Sequence, residues 1–93
     1  IMTQGIKRRC ECGFSCRRTL EIERRGRDQH LVSITDDDDG ATAAETMTAA
    51  EVDQWLEHGA YDCGLRVSGA GNEYSVIVDD VADLRASVAE LGK

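Results

Sequence analysis

The sequence contains no proline, and aromatic residues make up only 4% of it: one Trp, two Tyr and one Phe. Without proline no connection is pre-set by a locked φ, which fits short, regular links between elements. So few rings argue against a surface that reads single-stranded nucleic acid by stacking successive bases. Lysine is confined to Lys7 and Lys93, so the basic character rests on arginine. No apolar run approaches the roughly 18 residues that a membrane-spanning helix needs. An export signal is not expected either, because the chain runs from Met2 almost directly into Lys7-Arg8-Arg9. The expected setting is cytoplasmic. His30 and His58 have no serine or cysteine at a spacing that implies a triad, and Gly69-Ala70-Gly71-Asn72 leads towards a strand rather than a helix, which excludes a phosphate loop. The reading is of a protein that is not an enzyme.

What is present is charge and cysteine, unevenly placed. The 93 residues carry a net charge of −7, and that length implies one domain with a thin core. Residues 1–30 hold eight basic and four acidic side chains, net +4, whereas residues 31–93 hold three basic and fourteen acidic, net −11. Either the two halves neutralise each other in the fold or one of them faces a charged partner.

Three of the four cysteines fall within seven residues, in Arg8-Arg9-Cys10-Glu11-Cys12-Gly13-Phe14-Ser15-Cys16-Arg17-Arg18. The run Cys10-Glu11-Cys12-Gly13 with Cys16 resembles a knuckle of the zinc-ribbon or treble-clef type. Its first pair is separated by one residue instead of two, and it lacks a matching second pair. With Cys63 it makes a candidate four-cysteine site, Cys10, Cys12, Cys16 and Cys63, holding one structural zinc, and His30 or His58 is a substitute fourth ligand. Free thiols made reactive by the flanking arginines are the open alternative, as is a disulfide.

Along the chain, Leu20 and Ile22 alternate with Thr19, Glu21 and Glu23, and His30, Val32 and Ile34 resume the alternation after the turn Arg24-Arg25-Gly26-Arg27-Asp28. Residues 36–46 read as an acidic linker. Its Asp36-Asp37-Asp38-Asp39-Gly40 fails as a calcium loop, because Thr35 and Thr46 fall where the first and last ligands belong. Thr48 and Glu51 form a capping box, with Met47 placed to staple against Val52, and Val52, Trp55 and Leu56 make an apolar stripe that Gly59 is expected to end. Cys63, Leu65 and Val67, a glycine-rich turn, and Tyr74, Val76 and Val78 form a second hairpin. Asp79 or Asp80 caps a last helix with Val81, Leu84, Val88 and Leu91 on one face and Gly92 at its end.

The expected fold is α+β in a ββαββα arrangement: a four-stranded antiparallel sheet with both helices on one face and the cysteine-rich knuckle at the N-terminus. Its parts are the knuckle at 1–17, a first ββα unit at 18–59 and a second at 60–93. The expected function is a non-enzymatic protein-interaction module. Its Ala-, Asp-, Val- and Arg-rich composition resembles that of a high-GC actinobacterial genome or one of its phages, which suggests an accessory protein that binds and inhibits a host or cognate protein. A homodimer is open. The alternative is a zinc-knuckle nucleic-acid-binding or transcription-associated protein, tracking phosphates with Arg8, Arg9, Arg17, Arg18, Arg24 and Arg25.

Overall fold

The computed structural model of the chain describes residues 5–11, 17–62 and 64–91. Its elements run β1 (Gly5–Arg9), β2 (Arg18–Gly26), β3 (Gln29–Asp36), β4 (Thr42–Met47), α1 (Ala49–Asp62), β5 (Leu65–Gly69), β6 (Asn72–Val76) and α2 (Val81–Glu90). The class is α+β, with order ββββαββα in place of the expected ββαββα. Strands β1 to β4 pair consecutively into one antiparallel sheet, and β5 and β6 form a separate two-stranded sheet. The four-stranded sheet therefore comes from the first half alone. Two strands had no clear apolar alternation to announce them. The inner face of β1 carries Arg8 beside Ile6, and that of β4 carries Glu45 between Ala43 and Met47.

The 36–46 segment is not an extended linker. Asp36 N–H donates to the Ala41 carbonyl (2.9 Å) and Gly40 N–H to the Asp36 carbonyl (2.7 Å), closing a tight turn. Gly40 takes φ +73°, which a side chain would resist, and the chain then returns as β4. With β4 beside β3, the place the second hairpin was expected to take is filled.

Register puts Leu20, Ile22, Val32, Ile34 and Ala43 on one sheet face, all buried. Val52 and Leu56 of α1, Leu65, Val67 and Val76 of the hairpin, and Leu84 and Val88 of α2 join them in a single cluster. Each Leu, Ile or Val side chain among them contributes about 1.5–3 kcal/mol on leaving water. The opposite face presents Lys7, Arg9, Thr19, Glu21, Thr35 and Thr42.

Local signals set the helix starts. Thr48 N–H donates to Glu51 Oε1 (2.9 Å) and Glu51 N–H to Thr48 Oγ1 (3.2 Å), the reciprocal capping box. Asp80 accepts from Asp83 N–H at 2.9 Å as the N-cap of α2. Gly59, expected to end α1, lies inside it and is buried. A Cβ there would overlap the Leu65 side chain, so this glycine serves close packing of helix against strand. The expected end at Gly92 lies outside the described residues.

Candidate anion-binding pocket

The strands of the large sheet have two ends, and the chain treats them differently. At the end formed by Arg9, Arg18, Asp36 and Thr42, the β5–β6 hairpin lies across the sheet. Ser68 N–H donates to Glu45 Oε2 (3.1 Å) and Asn72 Nδ2 to the Thr42 carbonyl (3.1 Å). Arg18 donates to Asp36 Oδ2 (3.3 Å) and to the Ser75 carbonyl (3.1 Å), with its guanidinium 4.9 Å from the Tyr74 ring centre. Partial desolvation acts to raise the Asp36 carboxyl, but the Asp38 and Asp39 amides and the Arg18 hydrogen bond and charge outweigh it and hold it below its ordinary range.

At the other end, Arg24, His30 and Met47 are neighbours across β2, β3 and β4. The β2–β3 turn, the start of α1 and the last turns of α2 meet there around a pocket of about 360 Å³. Asp28 Oδ1 accepts from Ala49 N–H (2.9 Å), tying the turn to α1. Arg24 donates to the Gly26 carbonyl (3.1 Å) and to the Leu91 carbonyl (3.1 Å), tying β2 to the end of α2. Arg85 of α2 grips Asp53 of α1 through two hydrogen bonds of 3.0 Å. That grip lowers the Asp53 carboxyl, partial desolvation opposing it.

The polar lining is Arg24, Arg27, His30, Asp53 and Arg85, and the apolar lining is Ala49, Leu56, Val88 and Ala89. Three arginines thus share the lining with one aspartate, which is paired with Arg85. His30 is 4% exposed, and its Nδ1 has no hydrogen-bond partner among the described residues. A buried polar atom in that condition costs about 1–3 kcal/mol. Apolar walls beside several cationic side chains are what a site for an anionic group on an apolar body requires.

The residues singled out by sequence are dispersed. Cys12, Cys16 and Cys63 lie outside the described residues. Cys10 is half-buried, and its Sγ accepts from Ile77 N–H at 3.4 Å. Among the described residues, no group of three or more His, Cys, Asp or Glu is placed to hold a metal ion. His30 lies on β3 and His58 on α1.

Of the six arginines, Arg8, Arg18 and Arg24 take inner-face register positions and Arg9 the outer face. Arg8 meets Asp83 (3.5 Å), Arg9 meets Asp37 (3.7 Å) and Arg25 meets Glu23 (3.0 Å), while Arg17 is exposed. Arg8, Arg9 and Arg18 therefore meet carboxylates of the acidic half, so part of the charge split is compensated inside the fold.

Asp53 and Arg85, 32 residues apart, went unread as site residues, whereas Arg27 was legible as part of the basic surface and of the β2–β3 turn. His30 did carry a signal, a titratable side chain in the inward register of an apolar strand. No helix among the described residues is long and apolar enough to cross a membrane. Comparison with protein-family models, curated proteins and solved structures finds no match, so the functional reading rests on this geometry.

Proposed function

We propose that the chain is a non-enzymatic protein-interaction module that captures an acidic segment of a host or cognate protein in the Arg24–Arg27–Arg85 pocket and modulates that partner by holding it. The observation that carries this reading is that three arginines, from β2, the turn and α2, line one apolar-walled pocket of about 360 Å³. Guanidinium groups bind carboxylates strongly but do not exchange protons near neutral pH, so the chemistry favours capture over turnover. The nucleic-acid alternative draws less support, because Arg8, Arg9 and Arg18 are engaged with Asp83, Asp37 and Asp36 and do not share one face of the sheet.

The test is fluorescence anisotropy with a panel of labelled peptides pairing Asp or Glu with aliphatic residues, each alongside its Asn or Gln counterpart. Acidic members are expected to bind at least tenfold more tightly, to weaken with salt, and to lose most of that advantage in Arg27→Ala. Equal binding of the acidic and amide series would overturn the reading.

A further inference from the structure

We propose that the outer edge of β1 is a second interaction surface, one that takes an extended acidic segment of a partner protein as a fifth strand of the large sheet. It does not depend on the pocket, whose lining includes no residue of β1. The two edges of the sheet, β1 and β4, are finished differently. The β5–β6 hairpin covers β4: Asn72 Nδ2 donates to the Thr42 carbonyl, Ser68 N–H to Glu45 Oε2, and Gly69 packs against the Ala44 main chain. On the side of β1 away from β2, no described strand pairs with it.

Register determines which main-chain groups that leaves. Cys10 N–H donates to the Arg18 carbonyl at 2.9 Å, continuing the β1–β2 ladder. In an antiparallel pair, residues that exchange hydrogen bonds alternate with residues that do not. Ile6 and Arg8 therefore bond β2 as Cys10 does, while Gly5, Lys7 and Arg9 turn their N–H and C=O groups outward. Glu11 belongs to the same outward set, and its N–H already donates to the Ile77 carbonyl at 2.7 Å. The edge thus accepts extended main chain where the fold supplies it. From Gly5 to Arg9 the outward groups receive, among the described residues, only a bond from Arg8 Nη1 to the Lys7 carbonyl (3.0 Å), and no neighbouring main chain.

Charge decides the occupant. The strand reads Gly5-Ile6-Lys7-Arg8-Arg9. A second copy pairing with it antiparallel would set these cations opposite one another, which destabilises a strand pair. A strand bearing carboxylates reverses the sign. Lys7 and Arg9 share the outer face, with side chains 74% and 73% exposed, and their contacts to Glu21 (3.6 Å) and Asp37 (3.7 Å) are long and screened by water. Both cations are therefore open to a partner's carboxylates. On the inner face, Ile6 packs partly buried against the core and suits an aliphatic neighbour, and Arg8 is engaged by Ser87 and Asp83 of α2. The segment that fits alternates acidic with aliphatic residues, the acidic ones beside Lys7 and Arg9.

The experiment titrates the ¹⁵N-labelled full chain with an acetylated, amidated peptide alternating Asp with Val, and with its counterpart alternating Asn with Val. Exchange of single backbone amides with water is read by NMR. In the free protein, the Lys7 and Arg9 amides are expected to exchange fast and those of Ile6 and Arg8 slowly. Saturating acidic peptide is expected to slow Lys7 and Arg9 by about tenfold or more, and the Asn peptide to bind about tenfold more weakly. Lys7→Gln combined with Arg9→Gln is expected to lose the preference for the acidic peptide, slow Ile6 and Arg8 amides showing that β1 stays paired. Arg27→Ala is expected to keep the protection. If the Lys7 and Arg9 amides stay fast at millimolar acidic peptide, the edge proposal falls, and a response at Arg27 in the same spectra would leave the pocket reading standing. Equal protection by the Asn peptide overturns the proposal by removing charge as the selector. Slow Lys7 and Arg9 amides before any peptide is added, quickening on dilution, would make the occupant a second copy and overturn it as well.

Discussion

The two ends of the four-stranded sheet are built from the same strands yet finished differently. Each end of β2 carries an inward arginine, Arg18 at one and Arg24 at the other. Arg18 is closed in by Asp36, the Ser75 carbonyl and the Tyr74 ring, and the hairpin seals that end. Arg24 instead binds two main-chain carbonyls, bracing the rim of a pocket in which His30 Nδ1 lacks a partner among the described residues. Unsatisfied polarity is tolerated at one end of a small core and absorbed at the other. That asymmetry points to the open end as the place where something binds, because natural folds concentrate such local costs at functional sites.

Three changes break or sharpen the contrast. The largest effect is expected from Gly69→Ala at the sealed end. A Cβ there would run into the Ala44 main chain, carbonyl oxygen first, and rigid backbone gives way poorly. A loss of about 2–3 kcal/mol in urea unfolding is expected. Carboxylate binding by the folded protein should be unchanged, since the pocket lies at the far end of the strands; a matching loss of binding would show that the ends are not independent.

The second change has the opposite sign. His30→Leu at the pocket end removes the orphaned Nδ1 and is expected to stabilise the fold by about 1–2 kcal/mol. Destabilisation in the same unfolding measurement would mean that the imidazole is a satisfied core group and that the contrast is false.

The third and smallest is Arg18→Met, which removes the Ser75 bond and the ring contact at a cost of about 1 kcal/mol. It also alters the response to acid. Because the Asp36 carboxyl is held below its ordinary range, its contribution to stability is complete above that range and is lost as pH falls through the lowered value. Without Arg18, Asp36 titrates closer to its ordinary range, so that loss begins at higher pH. Thermal melts between pH 2.5 and 6 read this directly, and parallel curves for the two proteins would rule the Arg18–Asp36 pair out as the cause.

Much of the architecture was legible residue by residue where the governing forces act over a few positions. The alternation of Leu20 with Ile22 and of Val32 with Ile34 announced two strands, because a pleated chain turns every second side chain to the same face. Thr48 with Glu51, and Asp80, announced two helix starts, because orphan amides seek an acceptor within one turn. Charge compensation between the halves was visible as one of two options in the split itself. What the sequence by itself determined is therefore the α+β class, the two helices, most of the core and the inward place of His30.

Only the tertiary structure decided the rest. β1 and β4 carry Arg8 and Glu45 on their inner faces, and they become strands because a neighbour supplies the pairing. Gly59 looked like a helix end until Leu65 was seen packed across it. The pocket needed Asp53 and Arg85 brought together across 32 residues, with the β2–β3 turn closed against both helices. None of these leaves a local mark, because each depends on which distant surfaces exclude water together, and that is settled when the core forms.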